Sequence, residues 1–111
     1  MGTVKELSHT ADVGFELRAQ GLEELFELGA EGLAVARGAP PDPSAEAEVA
    51  AVELKRPDLE RLLVAWLREL LHRSMQRNEV ASADVRAVRR PGEGGRDDAA
   101  LAARVAWRPA A

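Results

Sequence analysis

The chain has 111 residues, no cysteine, 15 basic and 19 acidic side chains, and a formal net charge of −4. That length builds one hydrophobic core, read here as a single domain over residues 1–111, and the lack of cysteine excludes a disulfide framework, a thiolate metal site and a cysteine nucleophile. The acidic balance argues against direct nucleic-acid binding, which needs clustered cations, and no apolar run reaches signal-peptide or membrane-spanning length, so a cytoplasmic protein without membrane contact is expected.

A short strand near Val4 to Leu7 opens the chain. Val13, Phe15, Leu17 and Ala19 then alternate with Glu16, Arg18 and Gln20, the period of a half-buried strand. After Gly21 the period changes. Leu22, Leu25, Phe26, Gly29, Ala30 and Leu33 recur at helical spacing, and Glu23, Glu24 and Glu27 put negative charge where the amino end of a helix prefers it. This helix should end near Arg37-Gly38, because a proline-rich loop, Pro40-Pro41-Asp42-Pro43, follows.

Glu48 to Leu54 reads as the next strand, with Ala50, Val52 and Leu54 on one face. Pro57 then falls in the first turn of a second helix. Leu59, Leu62, Leu63, Trp66, Leu67, Leu70, Leu71 and Met75 form its apolar stripe, opposite a solvated face of Glu60, Arg61, Arg68, Glu69 and Arg73. Two further alternating runs, 83–88 and 101–107, flank the glycine-rich stretch 91–98 and predict a hairpin, with Arg86, Arg89, Arg90 and Arg96 as its solvated charges. Pro109-Ala110-Ala111 reads as a frayed end. The sum is an α/β two-layer sandwich in the order β-β-α-β-α-β-β, a small mixed sheet of about five strands covered on one face by two helices.

Chemistry concentrates in His9-Thr10-Ala11-Asp12, between the first two strands. An imidazole and a carboxylate joined by a turn can bind a divalent metal, move a proton, or cap the turn through backbone hydrogen bonds, and the spacing alone leaves all three open. A small metal-dependent hydrolase centred on His9 and Asp12 would need about three protein ligands. Asp98, beside Asp97 in the glycine-rich turn, is a further candidate carboxylate, and His72 reads as a helix-end cation. No Walker-type phosphate loop is present, and Ser8, Ser44, Ser74 and Ser82 lack the setting of a nucleophile elbow.

The opening His9-Thr10-Ala11-Asp12-Val13-Gly14, the strand after it, and then Gly21-Leu22-Glu23-Glu24-Leu25-Phe26-Glu27 resemble the start of the archease family in wording and spacing. A second block, Asp58 to Leu71, is similar to that family's long helix, and Val85-Arg86-Ala87-Val88 to the strand after it, so the likeness covers roughly residues 5 to 90. The resemblance implies a helper protein rather than an enzyme. Archeases promote guanylylation and turnover of the RtcB-type RNA ligase, which joins RNA ends carrying a 2′,3′-cyclic phosphate in tRNA splicing and RNA repair, using GTP and a divalent metal. It also implies a metal site centred on Asp12, with His9 beside it, for calcium, magnesium or manganese. Where the family carries a further acid after the first helix this chain has Ala36-Arg37-Gly38-Ala39, with Asp42 as the nearby candidate, and the family's Lys-Ala-Val-Thr-Tyr-like strand with a terminal acid is not matched. A short form lacking the usual C-terminal strands is therefore expected. The alternative is an interaction module that keeps the fold without metal binding or activator function.

Overall fold

Seven elements follow one another: β1 (Thr3–Ser8), β2 (Val13–Arg18), α1 (Leu22–Arg37), β3 (Glu48–Arg56), α2 (Leu59–Arg77), β4 (Glu79–Arg89) and β5 (Ala99–Pro109), with a 3-10 turn at Glu93–Gly95. The computed structural model describes residues 3–8, 13–18, 21–38 and 40–111, the first two segments by their backbone alone. The order matches expectation. The sheet does not, because the strands divide into a β1–β2 pair and a three-stranded sheet in which β5 lies between β3 and β4. Every described pairing is antiparallel. β3 and β4 run the same way, joined by α2 as a crossover, yet they never pair: the turn after β4 folds β5 back into the space between them.

Helix boundaries follow local chemistry. Gly38 ends α1 in the left-handed conformation (φ 70°), its N–H donating to the Val35 carbonyl. Asp58 caps the start of α2, its carboxylate accepting from Arg61 N at 2.7 Å, so Pro57 stands one residue outside the cap rather than in the first turn. Asn78 closes α2 at φ 52°.

The core lies between the helices and the three-stranded sheet. Ala99, Leu101, Ala103, Val105 and Trp107 of β5 alternate inward and are all buried, with Ala50, Val52 and Leu54 beside them on β3. From the helices come Phe26 and Ala30 of α1 and Leu62, Trp66 and Leu70 of α2. Trp66 is fully enclosed, and its indole N–H donates to the Phe26 carbonyl at 2.8 Å, tying one helix to the other. The helices approach closely one turn further along, where a Cβ on Gly29 would lie 2.9 Å from Leu67 Cδ2.

Two expectations change here. The buried line on α2 runs Leu62, Trp66, Leu70, Ser74, one residue every four. Leu71 and Met75, each one position beyond that line, are rotated outward by about 100° and are 39% and 71% exposed. Ser74 takes the last inward place because its hydroxyl donates to the Glu79 carbonyl at 2.6 Å. The C-terminus is also held rather than frayed: Ala110 N donates to the Asn78 carbonyl, Ala111 N to the Pro40 carbonyl, and Ala110 bridges to Pro41.

The phase of α2 is directly testable. Leu70→Ala should lower stability by about 2–5 kcal/mol through the cavity it leaves, whereas Leu71→Ala should change it by less than about 1 kcal/mol, both read by urea unfolding. Equal losses at the two neighbours would contradict the assigned burial.

Candidate functional site

The strands on either side of His9-Thr10-Ala11-Asp12 in the sequence pair with each other, Ser8 opposite Val13. His9 and Asp12 themselves lie outside the described residues. α1 packs against this hairpin on one side and β4 on the other, and so links the tetrad's strands to the main sheet.

Asp42 sits in the loop that follows α1. Its Oδ1 accepts from the Ser44 hydroxyl at 2.7 Å and from Ser44 N at 3.0 Å, closing a local turn. The Ser44 hydroxyl, and then the Ser44 N–H, hold the carboxyl below the usual aspartate range. The backbone of Asp42 is also committed, since its N–H donates to the Pro109 carbonyl at 2.8 Å.

Asp98 sits at the other end of β5, just before Ala99. Arg89 clamps it, with Nη2 donating to Asp98 Oδ1 at 2.7 Å and Nη1 to the Asp98 carbonyl at 2.8 Å. The Arg89 hydrogen bond lowers the Asp98 pKa against a smaller opposing effect of burial. Asp42 and Asp98 are thus separated by the length of β5, about 35 Å at the usual strand rise, and no single ion can take both. Among the described residues no group of three or more His, Asp or Glu side chains converges to hold a metal. His72 is exposed and more than one turn short of the end of α2, where Arg77 is the last-turn cation. Arg89 is half-buried on Asp98, unlike the exposed Arg86, Arg90 and Arg96.

Other polar groups have roles that periodicity did not reveal. Glu27 accepts from Val85 N at 2.8 Å and Glu23 from Val88 N at 3.4 Å, so α1 covers the outer edge of β4 with carboxylates. The bulge between Val85 and Ala87 shifts the register there, and both amides meet acids one helical turn apart. At the other end of α1, Arg37 donates to the Ser74 carbonyl and hydroxyl, each at 2.7 Å, to the Glu79 carbonyl at 3.1 Å and to Asn78 Oδ1 at 2.6 Å. The guanidinium thus gathers the last turn of α2 and the first residue of β4, sharing the Ser74 carbonyl with the Asn78 N–H. Arg73 joins Glu79 at 3.1 Å and Glu48 at 2.9 Å and lies over the Trp107 ring, locking the same end of α2 to β3, β4 and β5. These partners lie far apart in sequence, 58 residues for Glu27 and Val85, so only the packing brings them together.

The Arg89–Asp98 pair predicts a pH dependence of defined sign. The folded-state pKa of Asp98 lies below its ordinary 3.8. Its contribution to stability is therefore present above that ordinary value and lost as pH falls through the folded value. Urea unfolding of wild type and Asp98→Asn between pH 6 and pH 2 (roughly the carboxylate range) should show a gap at the upper end that closes on acidification. A gap constant with pH would refute the assignment.

No described helix is long and apolar enough to cross a membrane. Neither a curated protein nor a solved structure gives a significant match to this chain. One family model does match, that of the Archease protein family (MTH1598/TM1083), over residues 5–109. The matched span runs past residue 90 and takes in the whole of β5. With all but a few terminal residues inside the match, the chain belongs to the Archease family.

Proposed function

We propose that this chain is a protein cofactor of an RtcB-type RNA ligase, promoting the ligase's guanylylation and turnover without catalysing a reaction of its own. The observation that carries this reading is the family match over residues 5–109, which includes the tetrad and the hairpin strands around it. The net charge of −4 supports it physically, since an acidic helper is drawn by long-range attraction to a ligase whose active site must be basic to hold RNA.

Within this reading Asp12 is the acid on which activation depends, with His9 as its neighbour. A divalent ion, calcium, magnesium or manganese, would supply positive charge at that loop, but the described acids do not fit a shared site for it. A hard cation takes six or more oxygens, while Asp42 is engaged by Ser44 and Asp98 by Arg89 at opposite ends of β5. That same engagement favours a second reading, an interaction module that keeps the family fold without metal.

The test is a guanylylation assay with the host's ligase, GTP and manganese. Wild-type protein should accelerate formation of the guanylylated ligase by about tenfold or more, about 1.4 kcal/mol of barrier, and Asp12→Ala should remove the gain. No acceleration by wild type contradicts the activator role. Calorimetric titration with calcium and manganese separates the two readings: binding heat lost in Asp12→Ala supports the metal-linked one, and silence with both ions supports the module.

A further inference from the structure

The three-stranded sheet turns one face to the helices and leaves the other open, and the register fixes what stands on it. Lys55 of β3 and Arg89 of β4 lie on either side of Ala100 in the central strand. The next row on this face is Glu53, Ala102 and Ala87. Neighbouring strands are about 4.8 Å apart, so the two cations rise from positions roughly 10 Å apart over an alanine. Both side chains are long enough to lean over a ligand seated on that methyl group. Arg96, from the turn between β4 and β5, borders the same hollow.

The hollow is open to solvent, about 640 Å³ in volume, and brings three cations together with two acids, Glu53 on its floor and Asp98 beside Arg89. Its volume is in the range of small-molecule sites. The cations differ in how they are held. Arg89 is fixed on Asp98, which orients it and takes part of its charge. Lys55 and Arg96 are exposed and in no ion-pair contact among the described residues, and Lys55 feels Asp98 only at longer range. Three neighbouring cations with only Asp98 and Glu53 to offset them keep a net positive charge, and a bound anion relieves their mutual repulsion. The floor carries alanines and no aromatic ring, so bases have no surface to stack on and recognition falls on the anionic group.

We infer that this hollow binds a phosphate group, with Lys55 and Arg96 as its direct contacts and Arg89 as an oriented wall. The phosphate is that of a free nucleotide or the terminal phosphate of an RNA strand. Phosphate binding stands independently of the ligase reading, because it rests on the sheet register and not on the tetrad; the choice of these two sources rests on that reading.

Calorimetric titration of the intact protein with inorganic pyrophosphate at low salt tests it. Lys55→Glu and Arg96→Glu should each weaken binding by about tenfold or more, and Glu53→Gln should strengthen it. All three positions are exposed strand or turn sites whose side chains make no buried contact, so the variants keep the fold, which circular dichroism verifies. Two further arms identify the source: GDP binding more tightly than pyrophosphate assigns a nucleotide, and a 5′-phosphorylated RNA oligonucleotide preferred over its unphosphorylated twin assigns an RNA end. Absence of pyrophosphate binding at millimolar concentration, or binding unchanged by both charge reversals, overturns the inference. An oligonucleotide bound equally well with and without its phosphate, and unaffected by the reversals, does the same.

Discussion

The hydrogen bond from the Trp66 indole to the Phe26 carbonyl is the constraint on which the arrangement of the molecule rests. A buried indole N–H must find an acceptor, and a tryptophan at the centre of α2 finds it only if α1 passes at one height and in one rotation. Gly29 then permits the close approach of the two helices. With α1 fixed in this way, its first half lies along β4, where Glu23 and Glu27 answer the edge amides, and its last residue reaches the end of α2, where Arg37 gathers Ser74, Asn78 and Glu79. The β1–β2 hairpin is carried on the same helix. The position of these two strands relative to the main sheet is thus set by packing on α1 rather than by strand pairing.

Helices were legible because their determinants are local. Gly38, Asp58 and Asn78 act within a turn of where they stand, and the apolar period of α1 and α2 is written in consecutive residues. Pairing was not legible in the same way. Alternation in β3, β4 and β5 shows that each is a half-buried strand, but nothing within them states that β5 returns between the other two. The end of α2 misled for a related reason. Apolar character placed Leu71 and Met75 in the core, while Ser74, polar and unremarkable in sequence, takes the inward place because Glu79 and Arg37 offer it partners. The terminal Ala110 and Ala111 carry no side-chain signal, and it is their backbone groups that hold them.

The family was legible where the arrangement of the acids was not. The tetrad and the two helix blocks carry a family wording that survives in the chain, and the match extends it through β5. Asp42 was a candidate by its place after α1 and Asp98 by residue type, and neither says anything about the length of β5 that separates them or about Ser44 and Arg89, which engage them. The cation row on the open face shows the opposite case. Lys55 and Arg89 are ordinary surface charges in sequence, 34 positions apart, and become neighbours only through their shared partner Ala100.

The central claim is that this acidic α/β domain renews an RNA ligase rather than joining RNA itself. It is tested most directly by multiple-turnover joining of RNA ends bearing a 2′,3′-cyclic phosphate, with RNA in large excess over ligase and this protein present in catalytic amounts. The account predicts that the ligase stalls near one turnover alone and completes many when the protein is added. Joining that stops at the same yield with and without the protein would contradict it.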